Sequence, residues 1–275
     1  MNYLKTAFKI LPEFSPGKDY HLLVEAGRDG VSLVWYSNAP LKIEGVFIFQ
    51  SQKNITDISL AEAIQKHLAS ENIPHYSSVK IFYNFKESLI VPDSFYTEAN
   101  SKEMLDLVYG DLPGSRYFYE PVKEMQATNI YKVSSAVHDA LTNRFFAASA
   151  MHSNSCILPV FSEGLYCVVY NNYIKTILYK NGRLQLIQLY DYNTPADVAY
   201  QLLNICTQHQ LSPAEITLTL SGFIDQQSNL YEELYRYFLH IKMEEFPGNI
   251  EIPDEMRTYP DHFFSFLINL VKCAS

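Results

Sequence analysis

The residue types best suited to metal binding or nucleophilic catalysis are present in this chain, but their spacing does not form a site. The eight histidines are scattered along the sequence, and with the cysteines they do not form the paired ligand motifs of a zinc site. No two cysteines have the C-x-x-C spacing of zinc and redox motifs. We therefore predict no metal site, and we interpret the cysteines as buried, unreactive thiols in a reducing compartment. They are Cys156, Cys167, Cys206 and Cys273.

Short motifs typical of catalytic sites are also absent from the sequence. There is no G-x-S-x-G turn of a hydrolase, no G-x-x-x-x-G-K-S/T phosphate loop, no G-x-G-x-x-G dinucleotide fingerprint and no H-E-x-x-H zinc helix. Each of these motifs places a nucleophile, a metal ligand or a set of backbone N–H groups where its chemistry needs them. We therefore predict no catalytic residue and no cofactor, and we expect that the protein is not an enzyme.

The composition is that of a folded, acidic protein. Of the 275 residues, 48% are apolar and 19% are charged, which provides a sizeable core and room for two domains. The net charge of −9 disfavours nucleic acid, since the 21 Lys and Arg residues are scattered singly. No apolar run is long enough for a secretion signal or a membrane span. We therefore expect a cytoplasmic protein without nucleic-acid or membrane partners.

The elements that would position a site follow a repeated pattern. Apolar runs rich in β-branched and aromatic residues are typical of strands, and their order returns about 140 residues further along the chain. The first copy has predicted strands at residues 22–27, 31–36, 46–50 and 79–83. The second copy has predicted strands at residues 165–170, 174–179, 184–190 and 216–220. In each copy a helix separates the third strand from the fourth.

Each of these helices begins with a capping signal. Ser59 and Glu62 have the spacing of a capping box in the first copy. Thr194 and Asp197 have the same spacing in the second copy, where Pro195 suits the first helical turn. Apolar residues then recur at helical spacing in both copies. The matching caps favour a true duplication over a chance similarity.

We predict an α/β protein of two ribonuclease-H-like β-β-β-α-β units. The first domain is predicted over residues 1–155 and the second, with a C-terminal helix, over residues 156–275. Residues 110–124 are predicted to form a loop because they contain a Pro-Gly pair and a second proline. Further helices are predicted at residues 101–109, 134–143, 230–239 and 260–272, and further strands at residues 129–133 and 145–150.

A duplicated unit of this kind is the architecture of actin-like ATPase folds, the group of actin, Hsp70 and sugar kinases. The whole chain also resembles the DUF3822 family of uncharacterised actin-like proteins from Bacteroidetes. The similar features are VEAGRDGVSL at residues 24–33, SLIVP at residues 88–92 and NIYKV at residues 129–133. The resemblance implies an actin-like fold, and it implies no function because none is known for that family.

The actin-like resemblance implies where a nucleotide would bind. Working members of the fold hold phosphates between two hairpins, one in each domain, each with Asp-x-Gly followed by a small hydroxyl residue. They hold adenosine at a Gly-Gly pair after the fourth strand of the second domain. The corresponding cofactor-binding candidates here are Glu25, Gly27, Arg28, Asp29 and Gly30 in the first hairpin, Asn171 and Asn172 in the second, and Ser221 and Gly222 at the adenosine position.

These candidates depart from the working pattern. Glu25 replaces the aspartate of the first hairpin, and the second hairpin has neither an acid nor a glycine. Tyr173 would crowd a phosphate there, and the adenosine position has one glycine instead of two. Each lost charge-assisted hydrogen bond weakens binding by about 1.5–3 kcal/mol. We therefore predict a degenerate site at which a nucleotide binds weakly at most.

Nuclease chemistry is an alternative for the same fold. A ribonuclease-H nuclease holds two metal ions with carboxylates on the first strand, the first helix and the fourth strand. Glu25 and Glu62 suit the first two places, but the fourth strand ends in Tyr83-Asn84. The acidic net charge also opposes a nucleic-acid substrate. We therefore expect no nuclease activity.

Two hypotheses about function remain open. The leading one is a non-catalytic actin-like interaction or assembly module with an unknown protein partner. The 21 tyrosines and 17 phenylalanines permit such a docking surface, although core filling explains them as well. The alternative is a protein that binds a nucleotide or small anion in the interdomain cleft, with Arg28 as the residue that holds the anion.

Overall fold

The computed structural model describes residues 4–15, 17–51, 55–157, 162–246 and 250–275. In chain order, the first part contains β1 (Leu4–Ile10), β2 (His21–Gly27), β3 (Gly30–Asn38), β4 (Leu41–Ser51), α1 (Asp57–Ser70), β5 (Ser78–Asn84), β6 (Ser88–Pro92), α2 (Glu98–Tyr109), β7 (Ser115–Val122), β8 (Ala127–Ser134), α3 (Ser135–Arg144), β9 (Ser149–His152) and α4 (Ser153–Ile157). The rest contains β10 (Gly164–Val169), β11 (Tyr173–Lys180), β12 (Arg183–Asp191), α5 (Pro195–Gln208), β13 (Thr217–Gly222), α6 (Asn229–Tyr235), β14 (His240–Met243) and α7 (Ser265–Ala274).

The chain divides into two compact units. Unit 1 comprises residues 1–159, 250–253 and 270–275, and unit 2 comprises residues 160–249 and 254–269. This division describes compact units and does not test whether either folds independently. The domain boundary predicted between residues 155 and 156 therefore stays a prediction. Within the described ranges, no helix is long and apolar enough to cross a lipid bilayer.

Unit 1 is built on a six-stranded sheet in the order β1-β4-β3-β2-β5-β9. Strands β2, β3 and β4 are antiparallel neighbours, and α1 carries the chain to β5, which pairs in parallel with β2. Nearly all residues of β2 and β3 are buried, as in central strands covered on both faces. Helix α1 contributes Leu60, Ile64 and Leu68 to the core beside the sheet.

Unit 2 is built on a five-stranded sheet in the order β12-β11-β10-β13-β14. Helix α5 connects β12 to β13, and β13 pairs in parallel with β10. The capping box of Thr194 and Asp197 is present as predicted, with Pro195 in the first turn. Val198 and Leu202 of α5 are fully buried in the core of this unit.

The strand order in the two units is the same. In unit 1 it runs β4-β3-β2-β5-β9, and in unit 2 it runs β12-β11-β10-β13-β14, with β1 as an added edge strand in unit 1. Each unit thus has three antiparallel strands, a crossover helix and a parallel fourth strand. The mixed α/β fold with an internal duplication is confirmed.

A separate three-stranded sheet, β6-β8-β7, belongs to unit 1. Helix α2 is linked to it through a small core of Val91, Leu105 and Ile130. The side chain of Lys132 in β8 is completely buried, and its ammonium donates to the Asp106 carboxylate of α2 at 2.7 Å. This ion pair and the small core hold α2 against the sheet.

The predicted loop at residues 110–124 is wrong, because Ser115–Val122 forms strand β7. This strand pairs antiparallel with β8 along its whole length. β7 lies at the edge of its sheet, and an edge strand tolerates a proline such as Pro121, whose missing N–H would interrupt a central strand. Gly114 has a φ of 79°, so the Pro-Gly pair marks the turn before the strand.

Several predicted elements differ at their ends. Helix α1 begins after Thr56, whose hydroxyl accepts the Ser59 N–H at 3.2 Å, so Ser59 lies within the helix and is not its cap. The helix predicted at residues 230–239 ends at Tyr235, and the edge strand β14 follows it. The strand predicted at residues 145–150 lies slightly later, as β9.

The prediction of four free thiols is wrong for two of the cysteines. Cys156 in α4 and Cys273 in α7 form a disulfide with their Cα atoms 5.9 Å apart. They are separated by 117 positions in the sequence, so no local spacing reveals the pair. Cys167 and Cys206 are buried free thiols, as predicted.

Candidate functional site

The first hairpin of the candidate nucleotide site joins β2 to β3 in unit 1. Gly27 and Gly30 are paired, so Arg28 and Asp29 form the two-residue loop between them. A Cβ atom on Gly30 would lie 1.9 Å from the carbonyl oxygen of Phe49 in β4. Gly30 is therefore required by the close packing of β3 against β4, and this requirement explains the glycine without a phosphate.

The carboxylate of Glu25 is buried two residues before the end of β2. Its Oε1 accepts a hydrogen bond from Asn84 Nδ2 at 2.9 Å. Asn84 Oδ1 in turn accepts a hydrogen bond from the Ser153 hydroxyl at 3.2 Å. The candidate acid of the first hairpin is thus one member of a buried polar chain that ties β2 to β5 and to the start of α4.

The loop residues of the first hairpin have different surroundings. Asp29 is buried, and its carbonyl oxygen accepts the Ser51 N–H at 2.6 Å, which fixes the loop to the end of β4. Arg28 is partly exposed. Burial raises the pKa values of Asp57 and Glu87, and the positive charge of Arg28 opposes this rise for both carboxyl groups. The positive charge of Arg28 therefore already interacts with nearby acidic side chains.

The second hairpin, which joins β10 to β11 in unit 2, is occupied by two tyrosines. The rings of Tyr170 and Tyr173 stack with centroids 4.4 Å apart and an interplanar angle of 16°. The Tyr170 N–H donates to the Tyr173 carbonyl at 2.9 Å, and the Tyr192 hydroxyl donates to the Tyr170 carbonyl at 2.9 Å. Asn171 and Asn172 form the loop, and the Asn172 carbonyl accepts the Tyr192 N–H at 3.0 Å. Aromatic packing thus fills the place where a phosphate hairpin needs small residues.

The predicted adenosine position lies at the end of β13, where Gly222 pairs with Val169 of β10. Gly222 has a φ of 79°, and a Cβ atom there would lie 2.2 Å from the Val169 carbonyl oxygen. The same oxygen accepts the Phe223 N–H at 2.7 Å. Ser221 is buried, and its hydroxyl has no hydrogen-bond partner in the part of the chain that the structure describes. Gly222 is therefore needed for strand packing, and this requirement explains the glycine without an adenosine.

Sequence reasoning missed one charged residue beside the second hairpin. Lys175 lies on β11 and is completely buried, and its ammonium nitrogen is 5.0 Å from the ring centroid of Phe266. The available signal was a single lysine within the apolar run of β11. Lys175 therefore places a buried ammonium group on β11, two residues after Tyr173 of the second hairpin.

The structure places the predicted residues in two groups. Glu25, Gly27, Arg28, Asp29 and Gly30 share one hairpin of unit 1. The second group lies in unit 2, at the common end of β10 and β13. Its members are Asn171, Asn172, Ser221 and Gly222.

The residues considered for a nuclease do not form a carboxylate cluster. Glu62 is exposed on α1, whereas Glu25 is buried and bonded to Asn84. Across the described ranges, no group of three or more His, Cys, Asp or Glu side chains could hold a metal ion.

Two solved structures share this fold over most of the chain. One is a Bacteroides thetaiotaomicron VPI-5482 protein with an actin-like ATPase fold and unknown function; it is 16% identical, with a TM-score of 0.72, and the match covers 85% of this chain and 94% of that one. The other is from the PilM-PilN type IV pilus biogenesis complex; it is 11% identical, with a TM-score of 0.61, and the match covers 95% of this chain and 100% of that one. These similarities establish the actin-like ATPase fold.

Sequence comparison assigns the chain to a family without assigning an activity. No curated protein matches the sequence. The family described as "Protein of unknown function (DUF3822)" matches residues 13–241, which is most of the chain. The protein therefore belongs to the DUF3822 family and has an actin-like ATPase fold.

Proposed function

We propose that this protein is a non-catalytic actin-like module that binds or assembles with a protein partner. The observation that carries the proposal is the stacked pair Tyr170 and Tyr173 in the second hairpin. These rings are 9% and 2% exposed, so they are part of the packed interior. A phosphate at this hairpin would need backbone N–H groups and small side chains, and moving two packed rings opposes its entry.

The chemistry of the first hairpin supports the same proposal. Gly30 is explained by its contact with Phe49, and Glu25 by its hydrogen bond with Asn84. Losing two charge-assisted contacts to a nucleotide lowers affinity by roughly 100- to 10,000-fold. The proposed site therefore binds nucleotide too weakly to support turnover, while the surrounding scaffold is preserved.

A partner-binding role is also consistent with the use of this fold elsewhere. PilM, whose fold covers 95% of this chain, forms a complex with PilN in type IV pilus biogenesis. That complex is an example of the fold in protein assembly. We propose that the present protein acts in the same general way, with a partner of its own.

Phosphate release from MgATP tests the loss of catalysis. Wild-type protein, Glu25→Ala and the exposed control Glu62→Ala are compared. We expect all three to release phosphate at the buffer rate. Magnesium-dependent phosphate release above the buffer rate by wild-type protein and Glu62→Ala would contradict the proposal.

A second candidate function is the binding of a nucleoside or small anion, and Ser221 is the observation that favours it. Its buried hydroxyl has no hydrogen-bond partner among the described residues, and such a group costs about 1–3 kcal/mol. A ligand hydroxyl or ring nitrogen would satisfy the Ser221 hydroxyl. Arg28, in the first hairpin of unit 1, is a separate candidate for holding a small anion.

Calorimetric titration separates this candidate from the first. The probes are adenosine and inorganic phosphate, and the proteins are wild type, Ser221→Ala and Arg28→Ala. Binding heat for adenosine that is lost in Ser221→Ala, or for phosphate that is lost in Arg28→Ala, supports ligand binding. The absence of binding heat with both probes at millimolar concentration removes the candidate.

A further inference from the structure

We propose that the disulfide between Cys156 and Cys273 is a reversible clasp, opened by a dithiol, that fastens the end of α7 to unit 1. Both cysteines are grouped with unit 1, one in α4 and the other in the last turn of α7. The proposal therefore concerns a covalent link within one unit between a mid-chain helix and the C-terminal segment.

The two cysteines lie on either side of unit 2 in the sequence, so the bond links the two ends of the chain segment that contains this unit. Cys156 lies three residues before residue 159, where the chain leaves unit 1. Cys273 lies three residues after residue 270, where the chain returns to unit 1 for the last time. The disulfide therefore closes a covalent loop that contains all of unit 2. Opening the bond leaves the peptide chain intact, and residues 270–275 are then held to the rest of unit 1 by non-covalent contacts alone.

Among the cysteines, which all lie in the described ranges, the disulfide is more accessible to solvent than the two free thiols. Cys273 is exposed, whereas Cys156 is only 4% exposed. Cys167 and Cys206 are buried in the core of unit 2, and burial raises their thiol pKa values to about 12 and about 11. A thiolate in solution can therefore reach Cys273 Sγ, while the two free thiols stay protonated and enclosed.

Non-covalent contacts at the end of α7 are sufficient to retain the segment after reduction, with less stability. Leu270 and Val271 are fully buried. The ammonium of Lys80 in β5 donates to the Ala274 carbonyl at 2.6 Å. These contacts also keep the two sulfur atoms near each other after reduction, which is the condition for the bond to form again.

The exchange chemistry is balanced by the dithiol. One thiolate of the dithiol attacks Cys273 Sγ, the protein S–S bond breaks, and Cys156 leaves as a thiolate that takes a proton from water. The second sulfur of the dithiol, as a thiolate, then attacks the first dithiol sulfur, which is bonded to Cys273 Sγ. This step releases Cys273 as a thiolate. The dithiol is oxidised to a cyclic disulfide by two electrons, and the protein disulfide is reduced to two thiols.

Thermal unfolding with and without dithiothreitol tests the clasp. Wild-type protein purified without reductant should show two titratable thiols after denaturation, and dithiothreitol should lower its Tm by about 10 °C, as expected for opening a loop of this length. Cys273→Ser should have the lower Tm and no response to dithiothreitol. Cys206→Ala should keep the response, because Cys206 takes no part in the bond. Removing dithiothreitol and adding glutathione disulfide should restore the wild-type Tm.

A second measurement needs no variant. Amide hydrogen exchange in the last turn of α7 should be faster in reduced wild-type protein than in oxidised protein, while exchange in β10 should be unchanged. Four titratable thiols in protein never exposed to reductant, an unchanged Tm with dithiothreitol, or a Tm that does not return on oxidation would each overturn the proposal.

Discussion

Glu25 and Asn84 are joined by a hydrogen bond of 2.9 Å between the carboxylate Oε1 of the first and the amide Nδ2 of the second. Both residues are buried, and they lie near the ends of the parallel strands β2 and β5. The candidate acid of the first hairpin thus joins two parallel strands through this hydrogen bond. A buried carboxylate with this partner is a structural element whose removal affects folding.

Replacing Asn84 with alanine tests that structural role. We expect Asn84→Ala to lower the free energy of unfolding by about 1.5–3 kcal/mol, because it removes a hydrogen bond to a buried charged group. Urea denaturation measures the change. Glu62→Ala, which alters an exposed acid on α1, should stay within about 0.5 kcal/mol of wild type. Equal stability of Asn84→Ala and wild type would show that Glu25 does not depend on this bond.

Substitutions at Gly30 and Gly182 distinguish a glycine required by close packing from one required by its backbone conformation. Gly30 has a φ of 146° and its Cβ would lie 1.9 Å from the Phe49 carbonyl oxygen, whereas Gly182 has a φ of 67° and no heavy atom within 4 Å of a Cβ. We expect Gly30→Ala to lower the free energy of unfolding by about 3 kcal/mol or more, and Gly182→Ala by about 1 kcal/mol. Chemical denaturation of the two variants measures the difference. Similar losses in both would mean that close contact with β4 is not the reason for Gly30.

The ion pair of Lys132 with Asp106 should make unit 1 sensitive to acid. Hydrogen bonds from Lys102, from Lys132 and from the hydroxyl of Tyr117 hold the pKa of Asp106 well below its usual range. A carboxyl group with a lowered pKa in the folded state stabilises the protein above its unfolded pKa of about 3.9, and this stabilisation is lost as the pH falls below that value. We therefore expect the free energy of unfolding of wild-type protein to decrease below about pH 4.

Asp106→Asn is the variant that tests this acid sensitivity. It should be less stable than wild type at pH 7, and its stability should fall less between about pH 4 and pH 2. Lys132→Met, which leaves the carboxylate with its remaining donors, should retain part of the slope. Denaturant titrations at each pH give the comparison, and parallel curves for wild type and Asp106→Asn would contradict the assignment.

His67 should give a second pH dependence, in the neutral range. Its ring packs edge-on against Phe49 with centroids 4.4 Å apart, and its Nε2 atom has no hydrogen-bond partner among the described residues. Burial lowers the pKa of His67, Glu71 opposes this shift, and Lys9 adds to it. The folded state thus favours the neutral ring. The stability that this preference contributes is present above the ordinary histidine pKa of 6.5 and is lost as the pH falls below that value.

His67→Gln should reduce this neutral-range slope, and His240→Gln is the matched control because His240 is exposed on β14. Burial also lowers the pKa of His138, and the charge of Arg116 lowers it further. His138 should therefore retain part of the pH dependence of stability in His67→Gln. Measurements of unfolding free energy between about pH 5 and pH 7.5 give the comparison. A wild-type slope that His67→Gln leaves unchanged would assign the dependence to other groups.

Much of the scaffold could be predicted because its signals are local. Strands β2, β3 and β5 are apolar runs bounded by turn residues, and the cap of α5 is written in Thr194, Pro195 and Asp197. Repetition of these signals about 140 residues apart made the duplication visible. Elements with strong local patterns were therefore placed nearly correctly.

The elements that the sequence did not reveal depend on distant partners. Strand β14 has only four residues and is held by parallel pairing with β13. Strand β7 contains Pro121 and is ordered by its pairing with β8. The disulfide joins residues 117 positions apart. In each case the stabilising contact is made across the fold, so the local residues carried little or misleading information.

The candidate site shows the same division. Its glycines and Glu25 could be selected from the hairpin pattern, but Asn84 as the partner of Glu25 lies 59 positions away. The stacking of Tyr170 and Tyr173 required the hairpin geometry, and the burial of Lys175 was hidden in an apolar strand. Residue types thus selected the candidate residues, while the contacts of these residues depend on packing across the fold.

Thermal unfolding of the wild-type protein with millimolar ATP, ADP or GTP, each with Mg²⁺, tests the proposed loss of nucleotide function most directly. A ligand that binds the folded state raises its stability by RT ln(1 + [L]/Kd), so even weak binding at millimolar concentration is visible. For a non-catalytic module with two tyrosine rings packed in its second hairpin, we predict the same Tm with and without each nucleotide. A rise of several degrees with one of them, reduced in Glu25→Ala, would contradict that prediction and establish a working nucleotide site.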